Sequence, residues 1–186
     1  MPEQKELSIH LYRQELVGKP CRRVRWSDKI QDLIEEMTER MKERGRKGLA
    51  APQVGVYLQL ALVTLASEKI EILVNPEIVN LGGKDLLEAE GCVSLPPAEQ
   101  ATARVWRSEI AHIRSGTIEN PEAAKIAVYR GQTARTVQHE IDHLQGIFFI
   151  NRCQPIAKGI VLRKYEQYLQ KEMQQPASTN RRTTWQ

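Results

Sequence analysis

The chain has 186 residues, 41% of them hydrophobic and 27% charged, with a formal net charge of +4. Its length fits one domain with a sizeable core, and its composition is ordinary for a soluble globular protein rather than a disordered or fibrous one. Three cysteines without close pairing argue against a disulfide framework; no stretch approaches the roughly 20 apolar residues of a membrane span, and the charged start Met1-Pro2-Glu3-Gln4-Lys5-Glu6 has no apolar signal segment, so a cytoplasmic protein is expected.

Residues 1–8 are polar and expected to be loose. Ser27 offers a helix N-cap, and Ile30, Leu33, Ile34, Met37 and Met41 then form a helical stripe ending at Gly45. Residues 58–65 and 70–74 read as strands separated by Ala66-Ser67-Glu68-Lys69, and Gly82-Gly83 reads as a turn. Gly91 would let the backbone at Cys92 approach another element, and Pro96-Pro97 ends regular structure soon afterwards. Residues 103–129 are the least legible, with short strand-like pieces and a loop at 115–121. Ala134, Val137, Ile141 and Leu144 mark a core-facing helix, with Gly146 where a C-terminal cap belongs. Residues 158–173 read as a last helix that uses Ile160, Val161, Tyr165, Tyr168 and Leu169. An early helix, then strands, then another helix suggests α+β with a mainly antiparallel sheet. Residues 1–175 are expected to form a single catalytic domain, followed by a disordered tail at 176–186.

Within the second helix lies Gln138-His139-Glu140-Ile141-Asp142-His143, an H-E-x-x-H motif. Helical residues four apart project about 40° from one another, so His139 and His143 can bind one metal ion. At about 100° per residue they fall opposite the apolar stripe. Glu140 between them can carry protons for a water at that ion. The bland alternative is two helical histidines bonded to neighbours, but the enclosed Glu favours a metal site and metal-assisted hydrolysis of an amide. A third ligand must come from elsewhere. His10, His112, the carboxylates, Cys21, Cys92 and Cys153 are the candidates, and a single Cys is most simply a small buried apolar residue.

Three segments occur in order: Gly48-Leu49-Ala50-Ala51-Pro52-Gln53, Glu90-Gly91-Cys92-Val93-Ser94 and the H-E-x-x-H helix. In that order and at those separations the chain resembles the peptide deformylases, from about Ile9 to Asn151, including a helix over 28–44. The resemblance implies an α+β fold with mainly antiparallel sheets around a central motif helix, flanked by an N-terminal and a C-terminal helix. It implies that Cys92, His139 and His143 bind one divalent metal ion with water in the fourth position. Glu140 would be general base and then general acid, and Gln53 and the Val93 N–H would bind the formyl oxygen as it becomes an oxyanion. Gly48, Lys47, Arg46 and Gly91 would border the substrate. Iron(II) is the ion the resemblance favours, and zinc, nickel or cobalt would also suit a thiolate with two imidazoles. The implied reaction removes the N-formyl group from the N-terminal methionine of a newly made polypeptide and releases formate.

The chain departs from the family pattern at Arg46 and Lys47, at Gln132 and Thr133, and at Glu99, all expected in or near the peptide groove. A deformylase-like amidase acting on another N-formyl or N-acyl compound is therefore the alternative, with Lys47 either pointing outward or meeting a negative group on the substrate. A non-catalytic binding relative would need no proton carrier, and a general metalloendoprotease would usually take a downstream His or Glu as third ligand, and no suitable His follows His143. The formylated nascent peptide is the expected partner, with no DNA or membrane. The basic runs Arg22-Arg23-Val24-Arg25 and Arg181-Arg182 read as solvated surface, with weak ribosome contact as the functional alternative.

Overall fold

The computed structural model describes residues 9, 11, 12, 19–123 and 125–174. His10 and the expected loose segments at 1–8 and 176–186 lie outside the described residues, as do Arg181 and Arg182.

Helix α1 (Gln31–Glu43) forms where Ile34, Met37 and Met41 recur at helical spacing and are buried. It starts later than expected, and Ser27 does not cap it. The Asp28 carboxylate accepts from the Arg25 N–H at 2.8 Å and the Arg22 guanidinium at 2.7 Å, so a separate turn closes before the helix begins. The other end agrees with the sequence. Gly45 is left-handed with φ of 58°, and the Arg46 N–H returns to the Met41 carbonyl at 3.0 Å, which satisfies carbonyls at the helix end.

Among the described residues, five strands form one antiparallel sheet in chain order: β1 (Gly48–Ala50), β2 (Leu60–Thr64), β3 (Ile70–Glu90), β4 (Ala103–Gly116) and β5 (Lys125–Arg130). The expected antiparallel pairing holds, in a single sheet rather than several. Strand β2 explains how the sheet is covered on both faces. Leu60 and Leu62 pack with α1 residues, while Ala61 and Val63 pack with the second helix, as the period of 2 along a strand requires. A continuous apolar run is what a strand buried on both faces needs.

Strand β3 corrects the reading of Gly82-Gly83. No turn forms there. The strand runs on to Glu90, with a register shift between Gly82 and Asp85 and a φ of 73° at Gly83. The glycines serve a bulge, and a β-carbon on Gly83 would come 3.0 Å from that of Glu109. Strands β3 and β4 pair from Val74↔Gly116 to Glu90↔Ala103, so the segment 91–102 joins their ends. That connection carries Cys92 and the Pro96-Pro97 pair. The segment that was least legible in sequence is therefore mostly β4 and β5, with a loop near 117–123.

Helix α2 (Gly131–Leu144) packs on all five strands, most closely on β4, β2 and β1. Ala134, Val137, Ile141 and Leu144 are buried, as their spacing predicts, and join the sheet in one cluster. The helix ends as expected: the Gly146 N–H reaches the His143 carbonyl and the Ile147 N–H reaches that of Asp142 at 2.8 Å. Helix α3 (Pro155–Gln174) lies over a further cluster that contains Cys92, Leu95, Val105, Phe148 and Phe149, contributing Val161 and Tyr165. Ile160 does not join it and is 48% exposed. No described helix is long and apolar enough to cross a membrane.

Candidate metal centre

Two backbone features place Cys92. Gly91 lies so close to the Ala98 carbonyl that a β-carbon would collide with it, which is the close approach the sequence suggested. Beyond Cys92, the Leu95 N–H returns to the Cys92 carbonyl at 2.9 Å and tightens the loop. The thiol is buried and lies 3.3 Å from His143 Nε2, which in turn lies 3.2 Å from His139 Nε2. The ligand atoms of Cys92, His139 and His143 all lie within 4.8 Å of one another. Two nitrogens about 2.0–2.1 Å from a tetrahedral ion would be about 3.3 Å apart, and a nitrogen and a sulfur about 3.6 Å. The donor set therefore fits a divalent cation in kind and in spacing.

The other candidates for third ligand are elsewhere. Cys21 sits in the core with Leu73 and Leu144, Cys153 leans on the Ile150 carbonyl, and His112 pairs with Asn80 and Val128 in the sheet.

A carboxylate turns one ring toward the site. Glu90 Oε2 accepts from His139 Nδ1 at 3.1 Å, which leaves Nε2 free to face Cys92 and is a common support for a metal-binding imidazole. Burial raises the pKa of Glu90, but hydrogen bonds from His139 and Arg107 outweigh it and lower it to about 2. Arg107 binds Glu90 through Nε at 3.0 Å and Asp142 through a terminal nitrogen at 2.6 Å. Arg135 also reaches Glu90, and Arg152 closes on Asp142. These five supporting charges were missed in the sequence. One signal was available. Ala103 and Val105 are buried on β4, and Arg107 occupies the next position of that same inward face.

Glu140 stands beside the triad with Oε2 shielded from solvent and without a hydrogen-bond partner among the described residues. Burial raises its pKa to about 7, so it exchanges protons readily near neutrality. Gly48 explains how the carboxylate fits. A β-carbon there would meet Glu140 Oε1 and would lie 2.7 Å from Thr136 Cγ2. Gln53 is locked by its own amide. Its Oε1 accepts from the Ala50 N–H at 2.8 Å, which turns Nε2 toward Cys92 Sγ at 3.3 Å and Ser94 Oγ at 3.4 Å.

A cleft of about 250 Å³ opens over these groups. Arg46, Lys47, Gly48, Gly91 and Val93, all expected at the substrate, line it, as does Gln132, while Thr133 and Glu99 do not. Lys47 points outward. Its ammonium pairs with Glu68 at 2.8 Å, and the two side chains are 56% and 73% exposed. Arg46 pairs with Glu99.

The chain matches a family model described as polypeptide deformylase over residues 7–159. It is 34% identical over 165 residues to a peptide deformylase of Thermodesulfovibrio yellowstonii, covering 86% of this chain and 96% of that protein. Its fold is similar to the crystal structure of a peptide deformylase from Legionella pneumophila, with a TM-score of 0.80, 29% identity, and coverage of 91% of this chain and 99% of the other. It is also similar to a peptide deformylase from Synechococcus elongatus in complex with actinonin, with a TM-score of 0.78, 31% identity, and coverage of 86% of each chain.

Proposed function

This chain belongs to the polypeptide deformylase family, and on that premise we propose that Cys92, His139 and His143 hold one divalent ion while Glu140 carries the protons. The enzyme is a metal-dependent hydrolase that removes the N-formyl group from the N-terminal methionine of newly made polypeptides and releases formate. The observation that carries the residue assignment is the convergence of one sulfur and two ring nitrogens within 4.8 Å.

Bound there, the ion would act as a Lewis acid and make a water nucleophilic near neutral pH. The chain's own groups do the rest. Gln53 Nε2 and the Val93 N–H donate to the formyl oxygen as it gains charge. Losing one such donor typically costs about 10²–10³ in rate. Glu140 takes a proton from the attacking water and delivers it to the departing amine nitrogen. The water oxygen joins the formyl carbon first, and the formyl C–N bond then breaks as the nitrogen receives that proton, giving formate and a free amine. Glu90 holds the His139 ring in place, and Gly48 leaves room for the Glu140 carboxylate. Arg46, Lys47, Gly48 and Gly91 border the bound peptide.

Iron(II) is the ion we assign, and zinc, nickel or cobalt would also suit the donor set. We place the enzyme in the cytoplasm, where it meets formylated nascent chains, and any ribosome contact would be weak. In the run Arg22-Arg23-Val24-Arg25, Arg22 and Arg23 pair with Asp28 and Glu122, and Val24 is buried. The test is formate release from formyl-Met-Ala-Ser after anaerobic iron(II) loading, with metal content measured on the same samples. Wild type should bind one ion per chain and turn over, and Cys92→Ala should lose tight binding. Full metal retention at wild-type affinity in that variant would remove Cys92 from the site.

A further inference from the structure

Residues 45–48 form one wall of the cleft and residues 89–93 a second, and α2 and Gln53 complete the lining. Glu99 adjoins the second wall, because its neighbour Ala98 packs its carbonyl against Gly91. The Arg46–Glu99 ion pair therefore ties the two walls together. Its partners are unequal. The Arg46 side chain is 32% exposed and the Glu99 side chain 71%, so the carboxylate can return to water easily while the guanidinium stays at the cleft. Arg46 is also incompletely used. Its Nε is shielded from solvent and has no hydrogen-bond partner among the described residues, an arrangement that a second acceptor would relieve. Beside it, Lys47 is held by another exposed glutamate, Glu68. One lip of the cleft thus carries two consecutive cations, each covered by a carboxylate that is easily displaced.

We propose that Arg46 is a specificity-determining residue that takes a carboxylate of the peptide just beyond the formylated methionine, and that Glu99 stands in for that carboxylate in the free protein. This rests on the deformylase reading of the cleft. A planar guanidinium suits the role because it presents several donors to one carboxylate at once. The incoming group gains the Arg46 donors, including Nε–H after a small side-chain rotation, and Glu99 swings into solvent. Neutral peptides are still accepted, without this gain.

Four peptides distinguish the possible sources of the carboxylate: formyl-Met-Ala-Ser-amide, formyl-Met-Asp-Ser-amide, formyl-Met-Ala-Asp-amide, and formyl-Met-Ala with a free terminal carboxylate. In the metal-loaded enzyme, at least one acidic peptide should exceed the neutral amide by about three- to ten-fold in kcat/KM at low salt, through KM. The ratio should rise in Glu99→Gln, fall to near one in Arg46→Met, and be partly kept in Arg46→Lys. In wild type it should shrink as salt is raised to about 1 M. A ratio near one for all three acidic peptides at low salt overturns the proposal, as does a preference untouched by Arg46→Met. Calorimetric binding of the deformylated products Met-Asp-Ser-amide, Met-Ala-Asp-amide, Met-Ala and Met-Ala-Ser-amide separates this from the activity. Arg46-dependent preference in binding without any formate release would uphold Arg46 and reject the deformylase reading. Formate release from every peptide without preference would do the reverse.

Discussion

At the scale of single residues, Glu140 and Asp28 make opposite uses of burial. Glu140 is a buried carboxylate without a partner at Oε2 among the described residues, a costly arrangement in a protein interior and a useful one for proton transfer. Glu140→Gln should retain one ion per chain and lose hydrolysis by about 10²–10⁴, since the amide has the shape but cannot accept the water proton. Metal content and turnover on one sample check this, and loss of the ion would make Glu140 a ligand instead. Asp28 sits near the surface, where bonds from Arg22 and the Arg25 backbone lower its pKa from 3.8 to about 2. A carboxyl with a depressed folded-state pKa stabilises the fold above its unfolded value, and that contribution fades as pH falls through the folded one. Urea titrations should therefore find Asp28→Asn less stable than wild type at pH 7, with the gap closing as pH drops from about 4 towards 2. His139, Glu140 and His143 were legible because metal chemistry restricts both residue type and spacing on a helix, whereas Cys92, on a distant loop with no spacing rule, was named only by the family resemblance. Glu90 was not legible, because a carboxylate that orients a ring from a different strand has no spacing rule to obey.

Elements show where sequence periodicity is informative and where it is not. The stripe of α2 was legible because four apolar residues recur with the helical period and the sheet buries each of them. Strand β3 was not, because Gly82-Gly83 has the composition of a turn, and only pairing with β4 tells a bulge from one. Ser27 misled for a local reason: Asp28, one residue on, captured the nearby Arg25 N–H in its own turn. Strand β1 has a stringent requirement at Gly48, whose missing side chain makes the space that Glu140 fills. Gly48→Ala should leave metal content unchanged and lower kcat by displacing the carboxylate, as paired metal and rate measurements would reveal. Strand β4 contributes Arg107, the link between Glu90 on β3 and Asp142 on α2. Arg107→Leu would leave both carboxylates buried and short of a partner, and should cost about 3–5 kcal/mol in denaturant unfolding. Arg107→Lys should recover only part of that, since an ammonium cannot span the two acids with a planar fork.

Across the whole molecule, the substrate cleft is where sequence and structure diverge most usefully. The sequence left Lys47 either pointing outward or meeting a negative group on the substrate. With its ammonium turned out to Glu68, Lys47 covers the cleft with its stem alone, as long cationic side chains often do. Lys47→Ile should accordingly change kcat/KM for formyl-Met-Ala-Ser by less than about three-fold, the scale of an exposed ion pair; a large gain would mean that the charge reaches the bound peptide. The five strands follow one another in chain order, so each can pair with the one just made, and short loop closures are the quick ones. Helix α2 comes after all of them and packs against all five. During refolding the sheet can zip up while Cys92 waits alone, and the three donors meet only when α2 docks. Acquisition of the metal would then report the docking of α2 onto the finished sheet, a built-in clock for that step.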